Sequence, residues 1–123
     1  MHVSKLADLQ AFTTLDGSTI REIAGPAWTP ARNQSLAEAT VPPGAATIAH
    51  LHREAEELYF FTAGHGRLRV GDVEQDVSAG DCAVIPPGTV HKLWNTGREP
   101  LVLLCCCAPA YSDDDTELVE PTP

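Results

Sequence analysis

The sequence predicts an all-β fold, a sandwich or a barrel. Short runs of β-branched, aromatic and alternating residues recur at spacings of about 8 to 12 positions along the 123-residue chain. Gly, Pro and Asp punctuate these runs at turn positions, and no stretch carries the sustained apolar repeat of a long helix.

Residues 1–11 read as a short helical or irregular lead, and residues 12–15 as a first strand ended by the turn signal Asp16-Gly17. Residues 18–24 suit a strand or one helical turn opened by Ser18, with Gly25-Pro26 stopping either; residues 28–33 read as loop. Residues 35–41 alternate as a strand, closed by Pro42-Pro43-Gly44 in the manner of a type II turn. Further strands are expected at 47–52, 58–62, 68–70 and 73–77, with Gly64 and Gly66 at a tight corner and Gly71-Asp72 as a hairpin connector. Residues 81–85, 91–95 and 101–107 complete the set, with Pro86-Pro87-Gly88 as a second proline-glycine turn. The acidic tail, 111–123, offers at most one helical turn capped by Ser112 and is expected to end disordered.

A chain of this length fits one domain and can bury roughly two thirds of its unfolded surface, so a single domain over 1–123 with a core at about 12–110 is expected. Its 17 acidic against 8 basic residues give a formal charge of −9, which repels phosphate backbones and anionic lipid surfaces. Neither nucleic acid nor membrane is expected as a partner. The N-terminus lacks the apolar block of a signal peptide, and the longest apolar run, 101–108, is too short to span a bilayer. A cytoplasmic location follows as the expectation. Of the four cysteines, Cys105, Cys106 and Cys107 are consecutive, which is no disulfide framework. They read as reduced, small hydrophobes on the last strand, without the cationic neighbour that would make a reactive thiolate.

The chemistry concentrates in two stretches. His50 and His52 are two apart in an extended run, so their imidazoles point to one face. Glu57 heads the next strand, and a hairpin returns its carboxylate toward the same place. Imidazole and carboxylate donors without thiolates suit an open site for a divalent Zn, Fe, Ni, Cu or Mn ion. In 80–95 a proline-glycine turn delivers a third imidazole, His91, onto a further strand. Glu56 is the rival carboxylate, but its parity faces it outward. His65, between two glycines, reads as solvated.

Together these stretches resemble the cupin superfamily. Gly44, His50, His52, Glu57 and Gly64 match its first motif, with four residues before the glutamate, and Gly80, Pro86, Gly88, His91 and Asn95 match its second without a gap. The resemblance, to small single-domain, mannose-6-phosphate isomerase-like cupins, covers nearly the whole chain. It implies an antiparallel double-sheet jelly-roll barrel, often dimeric, with His50, His52, Glu57 and His91 as metal ligands. Strand parity then turns Ile48, Tyr59, Phe61, Leu93 and Asn95 inward, and a pocket ringed by Ile48, Tyr59, Phe61 and Leu93 is expected. Leu51, Leu58, Phe60 and Trp94 on the alternate side are apolar too, so a second subunit or the N-terminal segment is expected to cover one sheet.

Four protein donors on an ion that prefers six leave two positions for a small-molecule substrate, O2 or water. The leading expectation is a metal-dependent enzyme, with Fe, Mn, Ni or Zn, acting as a dioxygenase or an isomerase/lyase on a small oxygenated substrate. Tyr59 is the candidate for proton transfer or orientation. The alternative is a non-catalytic module binding a metal, a sugar or a carboxylate. Arg21, Arg53 and Lys92 are the cations expected nearest the barrel mouth; they read as surface charges, with anchoring of a substrate carboxylate or phosphate as the alternative. A sugar-phosphate isomerase is disfavoured, because no cluster of cations awaits a phosphate.

Overall fold

The computed structural model describes residues 1–120. A 3₁₀ turn at Leu6–Asp8 precedes β1 (Phe12–Thr13), β2 (Thr19–Ala24), β3 (Ser35–Val41), β4 (His50–His52), β5 (Glu56–Ala63), β6 (His65–Val70), β7 (Val73–Ser78), β8 (Cys82–Ile85), β9 (His91–Asn95), β10 (Leu101–Ala108) and β11 (Thr116–Leu118). They form two antiparallel sheets, one ordered β1-β2-β3-β10-β5-β8 and the other β11-β4-β9-β6-β7. This is the double-sheet jelly roll implied by the sequence, in which both sheets turn one face toward a shared interior.

The inward residues follow strand parity. Val41, Tyr59, Phe61, Leu68, Ile85, Leu93, Leu101 and Leu103 make the core, each such side chain contributing about 1.5–3 kcal/mol by leaving water. The two proline-glycine turns form as expected. Ala45 N–H donates to Pro42 O at 3.1 Å and Thr89 N–H to Pro86 O at 3.3 Å, with Gly44 and Gly88 at φ 76° and 72°. That positive φ is what the third position of a type II turn requires, and glycine adopts it without a Cβ clash.

One segment resolves the alternatives the sequence left open, and two differ from the expectation. Residues 18–24 resolve as strand, because Ile20 pairs with Ala39 and Thr19 with Thr40 of β3. The strand expected at 47–52 is regular only from His50; Thr47 N–H still reaches Leu93 O at 2.9 Å, but Ile48 N–H leaves the ladder for Asp16 O at 2.7 Å. The tail forms the expected turn at Asp113–Asp115, with the Ser112 hydroxyl accepting from Asp115 N–H. It then continues into β11, which the sequence did not suggest and which pairs with β4, Thr116 opposite His52. The expected disorder of the tail's end falls at residues 121–123, outside the described residues.

The outer faces are covered unequally. Trp94 lies beneath Arg69 and Lys92, each 5.6 Å from its ring centre. Leu58 and Phe60 on β5 remain 38% and 43% exposed. The N-terminal segment does not cover them, since it packs near Phe12, Glu22, Ile23 and Trp28 at the β1–β2 end of the sheet, away from β5.

Candidate metal centre

The sheet registers bring the four expected donors together. His50 lies opposite His91 across β4 and β9, and His52 shares the face of His50 by parity. Glu57 enters from the other sheet, where β5 pairs it with Cys107 of β10 and Ile85 of β8. Three imidazoles from one sheet thus face a carboxylate from the other. All four are buried, and one donor atom of each lies within 4.8 Å of the rest. Glu57 Oε1 is 3.1 Å from His52 Nε2 and 3.4 Å from His91 Nε2.

The outer ring nitrogens determine what the inner ones present. Nδ1 of His50 meets Ile48 O at 2.7 Å, and Nδ1 of His91 meets Thr89 O at 3.0 Å. A carbonyl only accepts, so each Nδ1 carries the proton, and a neutral ring then aims a bare Nε2 lone pair inward. His52 Nδ1 meets Thr116 Oγ1 at 2.9 Å, and that hydroxyl spends its own proton on Ser112 O at 2.9 Å. His52 is therefore fixed in the same sense. His91 Nε2 is buried without a hydrogen-bond partner. Lone pairs converging on a carboxylate, with one orphaned nitrogen, fit a cation held at this point.

Electrostatics agree. Burial works against the charge of Glu57, yet the neighbouring rings of His52 and His91 outweigh it and hold the carboxyl down to about 2. Burial, with the nearby His91, lowers the pKa of His50 and keeps it neutral further into acid.

Among the remaining expectations, Tyr59 and Leu93 line the cavity above the site, together with Val41, Leu103 and Tyr111. Phe61 and Ile48 do not line it: Phe61 is fully buried in the core behind Tyr59, and the turn of Ile48 toward Asp16 breaks the strand parity that would aim it inward. Tyr59 keeps its phenolic proton, because burial, reinforced by the charge of Glu57, raises its pKa well above the ordinary range. Glu56 and His65 are exposed as expected. Arg21, Arg53 and Lys92 are directed elsewhere, to Glu38, Glu117 and Glu120.

Four contributors escaped sequence reasoning. Asp16 places Oδ2 3.6 Å from His50 Nε2; the Asp-Gly turn signal was visible, but not where the turn would lie. Thr116 and Tyr111 come from the acidic tail, the ring of Tyr111 standing edge-on to His52 at 5.7 Å. Cys107 donates its thiol proton to Glu57 Oε2 at 3.2 Å. Burial and the Glu57 charge raise both cavity thiols, Cys105 and Cys107, so they stay protonated as expected.

Comparison with known proteins accords with this site. The family described as Cupin domain matches residues 37–107, more than half of the chain. An uncharacterised protein of Methanocaldococcus jannaschii is 43% identical over 112 residues, covering 91% of this chain and 90% of its own. Among solved structures, the formate complex of Lactobacillus farciminis oxalate decarboxylase aligns with a TM-score of 0.77 at 27% identity, over 92% of this chain but only 34% of that one. An RmlC-like cupin from Shewanella frigidimarina aligns with a TM-score of 0.77 at 18% identity, over 93% and 96% of the two chains, a likeness of fold. With its two-sheet barrel and three histidines facing a glutamate, the chain belongs to the cupin domain family.

Proposed function

We propose that this chain is a metal-dependent enzyme acting on a small oxygenated molecule, as a dioxygenase or an isomerase/lyase, with His50, His52, Glu57 and His91 as ligands of a divalent Fe, Mn, Ni or Zn ion. The observation that carries the reading is the proton arrangement: outer acceptors fix each imidazole so that Nε2 lone pairs converge on the Glu57 carboxylate. A bound ion of this kind supplies Lewis acidity and, for iron or manganese, redox access to dioxygen. The protein's own part is to hold the substrate against that point and keep water scarce. The cavity measures about 70 Å³, room for about five waters or a molecule of a few heavy atoms. Tyr59, protonated and in its wall, is placed to donate a hydrogen bond or a proton to a substrate oxygen. Likeness to an oxalate decarboxylase favours chemistry on a compact, oxygen-rich substrate.

The same reading places the protein in the cytosol, where Cys82 and the Cys105 to Cys107 run stay reduced as they stand in the structure. It also makes the protein a homodimer, with Leu58, Phe60 and Val84 covered by a second copy. Metal analysis of freshly purified protein, followed by turnover assays with and without oxygen, tests the enzymatic claim. Iron or manganese with substrate-dependent O2 uptake supports an oxygenase, and conversion without oxygen supports an isomerase or lyase. Redox-silent zinc with no turnover across small hydroxy and keto compounds would overturn the claim in favour of a non-catalytic binding module.

A further inference from the structure

The cavity's charges and the setting of Asp16 say which small molecules suit the site. Asp16 is held firmly. Its backbone carbonyl accepts Ile48 N–H at 2.7 Å, and Oδ1 accepts three donors, Thr14 Oγ1 at 2.8 Å, Ser18 N–H at 2.9 Å and Ser18 Oγ at 2.6 Å. Oδ2 is left facing His50 Nε2 at 3.6 Å, beyond hydrogen-bond reach. With the His50 Nε2 lone pair committed to the ion of the metal-site reading, Oδ2 stands beside the site as an acceptor whose donor a ligand can supply. The side chain of Asp16 is only 14% exposed.

The charge inventory points the same way. Asp16, Glu22 and Glu57 line the cavity, and no lysine or arginine does among the described residues. Glu57 and Asp16 together would balance the charge of a divalent ion before any ligand arrives. An anionic ligand therefore enters a site with no surplus positive charge, and its carboxylate oxygens present only acceptors to Oδ2.

We propose that the site selects neutral, hydroxyl-bearing molecules over carboxylates, with Asp16 Oδ2 accepting the hydrogen bond of a hydroxyl group that sits beside His50. The inference rests on the metal-site reading given above and names the substrate class of that site. It separates this chain from the oxalate decarboxylase it resembles in fold, whose named substrate is a dicarboxylate.

The test uses the full chain loaded with cobalt(II), whose visible spectrum reports ligands near the ion, and two probes on one two-carbon frame, neutral glycolaldehyde and anionic glycolate. Wild-type protein should bind glycolaldehyde at least about tenfold more tightly than glycolate. Asp16→Asn should keep its cobalt, lose about tenfold in glycolaldehyde affinity and gain about tenfold for glycolate. Preference of the wild type for glycolate would overturn the inference, as would an Asp16→Asn variant with unchanged affinities or with its cobalt lost. A wild-type chain that takes up no cobalt would overturn the metal site itself and this inference with it.

Discussion

Each imidazole of the site is anchored through its outer nitrogen, and the anchors differ in how far along the chain they lie. Ile48 O and Thr89 O are two residues from the histidines they hold, whereas the Thr116 hydroxyl reaches His52 across 64 positions. Removing that acceptor should loosen His52 without touching a ligand. Thr116→Val is expected to weaken metal binding by about 10- to 100-fold and Thr116→Ser to restore it, as chelator competition would measure. Equal affinities in all three proteins would refute the role. Acid should release the metal through the imidazoles and not through Glu57. Glu57, held down to about 2, contributes stability above its ordinary pKa of about 4.3 that is lost only as pH falls from there through about 2. His50, lowered by burial and by His91, costs stability as pH falls through the ordinary imidazole range near about 6.5. Metal occupancy should therefore decline only below the ordinary imidazole range near about 6.5 and before Glu57 titrates; retention of the metal down to about pH 2 would contradict this order. The grouping of His50, His52, Glu57 and His91 was legible because two-residue spacing on a strand fixes the parity of the first pair and motif spacing brought in the other two. Asp16 and Thr116 were not, since a turn signal or a threonine among acids does not say which distant residue it will meet.

Short strands position the site because fixed points outside their own length hold them. Gly88 N–H donates to His52 O at 2.6 Å, tying the turn that presents His91 to the strand that presents His52. At the other edge of β4 the tail is fastened by Asp115, whose carboxylate accepts Glu54 N–H at 2.9 Å and Ala55 N–H at 3.1 Å. Asp115→Ala should cost about 1–3 kcal/mol, the range for losing charge-assisted bonds to backbone amides. The measurement is a lower Tm together with faster hydrogen exchange at residues 54–55; unchanged exchange there would contradict the fastening. Most elements could be read in advance because alternation and turn residues agree locally, as at Ser35–Val41 and His91–Asn95. β11 could not. Thr116–Leu118 is three residues long, too short for a pattern, and its strand character comes from the exposed edge of β4.

The whole barrel works as a clamp in which the imidazole sheet and the glutamate sheet meet only because a shared apolar core holds them face to face. Tyr59, Phe61, Leu93 and Leu103 lie in that core alongside the donors, so core packing and site geometry are one property. Its outer surface at β5 and β8 leaves Leu58, Phe60 and Val84 open at 38%, 43% and 58% exposure. The proposed homodimer makes light scattering decisive there: wild type at twice the chain mass, and Phe60→Glu shifted to the single chain. A monomeric wild type would rule the dimer out. The family and its barrel were recognisable from motif spacing, while the apolar outer face signalled a cover without identifying it. The central claim is that four side chains from two sheets hold one ion, and metal content per chain tests it most directly. Wild type and the single variants His50→Ala, His52→Ala, Glu57→Ala and His91→Ala would be loaded and dialysed alike. The account predicts close to one ion per wild-type chain and a drop of at least about tenfold in every variant; any one variant retaining the wild-type content would contradict it.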